Sequence, residues 1–160
     1  KLIYNHIDNL LQRVGNTTIN QTNNIQINSY GNEDLSHITD NLKTQLLNIP
    51  FGMIPKLIEY VHFSSDKPEN KNIVLANKND NKIKIFSQGK WVYRNKNETI
   101  HNLVDEKYYL LDSHFDSTKN TLDSKTVLKY DSFRKEYDNN TGELLKKLKQ
   151  DCELTLLNNR

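Results

Sequence analysis

Alanine occurs once in this chain of 160 residues, at Ala76, cysteine once, at Cys152, and glycine five times. A single cysteine excludes an internal disulfide framework and a multi-cysteine zinc module, and leaves the compartment open as reducing or indifferent. The scattered glycines build no phosphate-binding loop, and no serine sits in a GxSxG elbow. Long apolar runs are missing too. No stretch approaches the ~18 residues that span a bilayer, and the opening KLIYNHIDNLLQRV lacks the apolar centre and small-residue cleavage site of a secretory signal. The sequence therefore reads as that of a soluble chain with no membrane partner. An excess of one charge is also absent. With 22 Lys+Arg against 20 Asp+Glu the net charge is +2, which argues against a protein that wraps nucleic acid by electrostatics alone.

What the chain does have is asparagine, 23 residues of it, beside 18 lysines and 13 isoleucines. That skew follows the codons of a very AT-rich genome and says little about chemistry. Lys1 stands where an initiator Met would, which raises the expectation of a piece of a longer polypeptide.

Residues 1 to 14 set Ile3, Ile7, Leu10 and Val14 at gaps of four, three and four, a heptad seam with Ile7 and Val14 at a and Ile3 and Leu10 at d. Two heptads are too short to stand alone. Residues 1–15 are therefore expected to end a coiled-coil stalk, with a helix docked on its own domain as the alternative. Residues 16–32, with Ile25 and Ile27 two apart, predict an Asn/Thr-rich strand and a turn at Tyr30-Gly31-Asn32. So Asn-rich a strand needs a partner, which a sister chain could supply. Ile3, Ile7, Leu10, Val14, Ile25 and Ile27 are thus the expected interface of a homo-oligomer. A trimer is favoured over a dimer, because a closed threefold arrangement pairs every strand edge equally.

Residues 33–160 predict an α+β globular domain, mainly helical, with a small antiparallel β-meander. Leu35, Ile38, Leu42 and Leu46 recur at helical spacing, with Thr39 or Asp40 able to cap the second part. Ile54, Leu57, Ile58 and Val61 mark an amphipathic helix that tolerates Pro55 in its first turn. IVLA from Ile73, KIKIF from Lys82 and KWVY from Lys90 read as three strands, the last two separated by Gln88-Gly89. After a turn at Asn95 to Asn97, Ile100, Val104, Tyr108, Leu111 and Phe115 form one helical stripe. Val127, Tyr130, Phe133 and Tyr137 form another, and Leu145, Leu148, Cys152 and Leu156 a third beyond Gly142. The helices around Leu57 and Leu111 are expected to share one core with Leu42 and Trp91.

Candidate chemistry is sparse. His101, Asp105, Asp112 and Asp116 fall on one side of a helix, but without the paired histidines of helical metal motifs they are expected to be an ordinary solvated face. His62 with Asp66, Glu69, Asn70 and Asn72 offers one histidine where metal-dependent hydrolysis needs several ligands and a base. Asn70 and Asn72 are expected to bond loop backbone instead, with Pro68 setting a turn. Cys152 reads as a buried small hydrophobe. Lys146, Lys147 and Lys149 are offset by Glu143, Asp151 and Glu153. No catalytic residue, metal ligand or cofactor is assigned, and no enzyme is expected. Lys82, Lys84, Lys90, Trp91 and Arg94, with Tyr93 between them, mix cations and aromatics as base-stacking surfaces do. The helix before them exposes little beyond Lys56, Glu59 and Tyr60, so nucleic-acid contact ranks behind a half-exposed hairpin with Trp91 packed on the core.

The ordered strings NTTINQTNNIQINSYGNEDLSHIT, IPFGMIPKLIEYVHF, PENKNI, GKWVYRNKNETIHNLVDEKYYLLDSHF and KKLKQDCELTLLNN cover nearly the whole chain. Together they resemble a domain that recurs in proteins of nucleocytoplasmic large DNA viruses, especially mimivirus relatives. The resemblance implies a C-terminal domain that follows a zinc-finger-like segment and a coiled coil. Relatives tend to carry a histidine in the stretch where this chain has Lys67, which lowers any metal role for that loop. A viral source and a domain context are implied, and no reaction. The expectation is a non-enzymatic, oligomeric interaction or scaffold module that binds itself and an unknown protein partner, in the cytoplasm of the infected cell, its viral factory, or the virion. The alternative is a nucleic-acid-binding domain that uses the Lys/aromatic hairpin or an upstream zinc finger.

Overall fold

The computed structural model describes residues 25–139 and 142–160. The heptad positions Ile3, Ile7, Leu10 and Val14, the stalk of residues 1–15 and the first part of the Asn/Thr-rich stretch lie outside the described residues. Helix α1 (Asp40–Leu47) and helix α2 (Met53–His62) lead to a three-stranded antiparallel sheet of β1 (Ile73–Val74), β2 (Lys82–Ser87) and β3 (Lys90–Asn95). Helices α3 (Lys96–Thr118), α4 (Ser124–Asn139) and α5 (Glu143–Asn158) complete an α+β domain that is mostly helical.

Local chemistry sets most boundaries. Thr39 caps α1 by accepting the Leu42 N–H at 3.1 Å, so the helix begins at Asp40. Leu35, expected on the same stripe, lies before that cap and is exposed, while Ile38 and Leu46 are buried. Strand β3 runs straight into α3 without the expected turn at Asn95 to Asn97, because the Asn95 side chain accepts the Glu98 N–H at 2.9 Å and caps the helix itself. Gln88 and Gly89 both have positive φ, 51° and 83°, and join the pair Ser87 and Lys90 in the two-residue hairpin geometry that suits the twist of the strands.

The core is centred on α2, whose Met53, Ile54, Leu57, Ile58 and Val61 are all inaccessible. Ile100, Val104, Tyr108, Leu111 and Phe115 of α3 and Leu148, Cys152 and Leu156 of α5 close on it, as their spacing predicts. Ile73, Leu75, Ile83 and Ile85 bring the inner side of the sheet into the same cluster. Helix α4 joins through aromatic rings, with Phe115 on Tyr130 at 4.2 Å and Tyr108 on Tyr137 at 3.8 Å between centroids. Leu42 is half-buried against the core. Trp91 is not in it.

The described part of the Asn/Thr-rich stretch is extended but forms no strand. Its anchors are the Asn28 N–H to the Glu69 carbonyl at 2.8 Å and the Tyr30 N–H to the Phe86 carbonyl at 2.7 Å. The anchors of its described residues are thus loops and a strand end of its own chain. Ile25 is 49% exposed and Ile27 half-buried.

Candidate functional site

Of the five residues around His62, the fold gathers three. His62 ends α2 with no exposed surface, and Asn70 and Asn72 are equally inaccessible, whereas Asp66 is exposed and Glu69 contributes its backbone carbonyl. The Asn72 amide donates to the Asn28 carbonyl at 3.1 Å and to Glu33 Oε2 at 2.8 Å, so its oxygen faces His62 Nδ1, 3.0 Å away. Nδ1 therefore carries the ring proton and donates it. Asn70 accepts the Asp34 N–H at 2.9 Å and the Asn28 amide at 3.0 Å, and donates to the Asp34 carbonyl at 2.7 Å. Lys67 adds an ion pair to Asp34 at 2.9 Å. The expected bonding to loop backbone does occur, but across the chain. The two asparagines sew residues 28–34 onto residues 67–72, because each amide offers both a donor and acceptors to backbone groups that no ladder satisfies.

Behind this seam sit groups with shifted acidities. Burial pushes His62 down to about 4, helped by the charge of Lys107. Burial also lowers Lys107, which Glu33 and Glu106 pull back toward the charged form. Burial opposes the charge of Glu33. The His62 ring, the Gly31 N–H, the Asn72 amide and Lys107 outweigh it, so the carboxyl lies below its ordinary value. At neutral pH the cluster holds a neutral imidazole and a carboxylate beside Lys107, whose charged form burial disfavours. His62 Nε2 and the Tyr30 hydroxyl are buried without a partner among the described residues. An imidazole lone pair there is chemically a base; the ring has no exposed surface of its own, although His62 lines a cavity of about 230 Å³ with Phe63, Ser64, Ser65, Pro68, Lys71 and Asn159. Cys152 is sealed off, its thiol pushed by burial up to about 12. Among the described residues no group of three or more His, Cys, Asp or Glu is placed to hold a metal ion.

His101, Asp105, Asp112 and Asp116 do share one side of α3, but the expected solvated face is the contact with α4. Arg134 Nε reaches Asp112 at 3.0 Å and its terminal nitrogen reaches Asp116 at 2.6 Å, while the guanidinium lies 5.0 Å from the centroid of the Phe115 ring. The Tyr130 hydroxyl donates to Asp112 at 2.7 Å, and that of Tyr137 to Asp105. Both tyrosines are raised above the usual phenol range by burial first and then by the carboxylate each one meets. His101 stays partly exposed, 3.4 Å from Asp105. The signal was present in α4, where Tyr130, Arg134 and Tyr137 recur at i, i+4 and i+7 and bring polar tips that need acceptors once the rings are buried.

The sheet carries the remaining candidates. The register pairs Lys84 with Tyr93, Phe86 with Trp91 and Lys82 with Asn95. Because Ile83 and Ile85 face the core, Lys82, Lys84, Trp91 and Tyr93 share the outer face. Trp91 is 39% exposed and leans its ring edge-on against Phe86, centroids 5.4 Å apart, while Val92 takes the inward position beside Ile85. That corrects the expected packing of Trp91 on the core. The sequence could have shown it, since a two-residue turn at Gln88-Gly89 pairs Trp91 with Phe86 and puts both opposite to the isoleucines. Lys90 and Arg94 have the inward parity and are exposed because β3 is an edge strand. At that edge Arg94 meets the outer residues again. Asn81, Lys82, Tyr93, Arg94 and Asn95 line a shallow cavity of about 290 Å³, and none of them is acidic. Tyr93 is 66% exposed, with Lys84 Nζ 5.6 Å from its ring centroid.

No protein-family model, no curated protein and no solved structure matches the chain.

Proposed function

We propose that this chain is a non-enzymatic interaction module whose contact surface is the outer face of the sheet. The observation that carries the reading is the division of its polar groups. Asn70, Asn72, Glu33 and His62 on one side, and Asp105, Asp112, Asp116 and Arg134 on the other, are engaged in holding elements together. Trp91 and Tyr93 stand exposed beside Lys82 and Lys84, and among the described residues Trp91 meets the Phe86 ring and Tyr93 the Lys84 ammonium. Self-association through Ile3, Ile7, Leu10, Val14, Ile25 and Ile27, as a trimer, belongs to the same reading, as does a place in a giant-virus protein acting in the infected cytoplasm or the virion. The support for these is the heptad spacing and the family resemblance.

Light scattering on the 160-residue chain, with and without residues 1–15, tests the oligomeric part. A mass near three chains that falls to one on truncation supports it. A monomeric parent, or a mass unaffected by the truncation, overturns it. The nucleic-acid reading is favoured by one specific feature, the acid-free cavity between Lys82, Tyr93 and Arg94.

A further inference from the structure

Every exposed element of the outer sheet face points to one class of ligand. Two ring faces, Tyr93 and Trp91, stand on alternate residues of one strand, and two lysines, Lys82 and Lys84, rise beside them from the neighbouring strand. At the open end, Lys82 and Arg94 line a cavity of about 290 Å³ together with Tyr93, Asn81 and Asn95. Two cations beside a lining with no acidic residue complement a phosphate. Asp80, the nearest acidic residue in sequence, lies in the loop before β2 and does not line the cavity.

From this we infer that the outer face binds single-stranded nucleic acid, with a phosphate held between Lys82 and Arg94 and bases stacked on Tyr93 and Trp91. The inference rests on the reading of this face as the contact surface of a non-enzymatic module. Spacing selects the form of the strand. Residues two apart on a β-strand stand about 7 Å apart, twice the rise of about 3.4 Å per nucleotide in a stacked strand. Successive bases of a splayed single strand can meet both rings, whereas the bases of a duplex are stacked on each other and keep their faces hidden. Lys84 covers part of Tyr93, and the exposure that remains leaves ring surface for a base. Stacking accepts every base, so the contacts with Tyr93 and Trp91 carry no sequence preference.

The probe is a labelled oligothymidylate, titrated with the full 160-residue chain in fluorescence anisotropy, beside a labelled duplex of the same length. The single strand should bind at least tenfold more tightly than the duplex. Tyr93→Ser should weaken binding at least fivefold, and Trp91→Ser should do the same. Lys82→Gln with Lys84→Gln should flatten the slope of log affinity against log salt by about 1.4. Tyr93 is exposed enough that its variant folds as the parent does, which far-UV circular dichroism verifies. Duplex binding equal to that of the single strand, no binding of the single strand, or binding indifferent to Tyr93 and both lysines would overturn the inference. Light scattering on the same samples separates the two readings. If the oligonucleotide is ignored while the chain still assembles through residues 1–15, this inference falls and the interaction module stands. A monomer that binds oligothymidylate keeps the inference and removes the oligomer, and a monomer that binds nothing removes both.

Discussion

The Asn–His seam and the outer sheet face are made from the same few residue kinds, amides, cations and aromatic rings, yet they end in opposite states. In the seam, Asn70 and Asn72 are inaccessible and every amide hydrogen bond they make returns to the chain. On the sheet, Lys82, Lys84 and Tyr93 are exposed and leave most of their bonding capacity open. Burial decides the role. A buried polar group must be satisfied internally or cost the fold a desolvation penalty, and the Asn70 and Asn72 amides meet that demand, while among the described residues His62 Nε2 and the Tyr30 hydroxyl behind them keep an open valence. An exposed polar group gives up water for a partner at little expense. The HFSSDKPENKN stretch, one of the two places where the sequence offered candidate chemistry, is therefore a fastening, and the hairpin that looked like plain scaffolding has the free surface.

Perturbing each region in turn should sharpen that contrast. The largest effect sets the scale. Leu57→Ala, which opens a hole beside fully buried Ile54 and Ile58, should cost about 2 to 5 kcal/mol in urea melts. Next comes Asn72→Ala, which takes one partner each from His62 Nδ1, Glu33 and the Asn28 carbonyl, leaves His62 with the longer bond to the Asn70 carbonyl and Glu33 with the Gly31 N–H, and should cost about 2 to 4 kcal/mol. A loss no greater than that of a surface residue would break the distinction between the two regions.

Acid should attack the same seam. The folded state holds His62 near 4, below its ordinary 6.5, so between those values the unfolded chain binds more protons than the folded one. Stability from this group is thus complete above 6.5 and lost as the pH falls through the window, by on the order of 3 kcal/mol at most. Glu33, also lowered, adds a loss of the same sign at lower pH. Urea midpoints measured from pH 7 to 4 should fall in the parent and fall less steeply in His62→Gln. The smallest effect belongs to the sheet, where Tyr93→Ser should change stability by less than about 0.5 kcal/mol.

Much of this fold was legible along the chain because its helices are strictly amphipathic. The stripes of α2 and α3 are buried where their spacing puts them, the α5 stripe is too except that Leu144 rather than Leu145 is its first buried leucine, and KIKIF declares its inner face by alternation. What escaped was set by contacts distant in sequence. Nothing local tells that Asn70 and Asn72 bond to residues 28–34, more than thirty positions away, or that Asp112 and Asp116 meet Arg134 rather than water. Trp91 misled through its composition. A large apolar ring suggests a core, but the strand register puts the smaller Val92 inward. Among the surface candidates, Lys82, Lys84, Lys90, Trp91 and Arg94 could be grouped from sequence, but that Arg94, with the opposite parity to Lys82, shares a cavity with it depends on how the edge strand is left open.

Amide shift mapping of the full chain by nuclear magnetic resonance, with oligothymidylate titrated in, tests the division between fastening and working surface most directly. The account predicts that shifts and broadening concentrate on residues 81–86 and 91–95 and leave His62, Asn70, Asn72 and Lys107 unmoved. Perturbations centred on His62 and Lys107, with the hairpin silent, would contradict it.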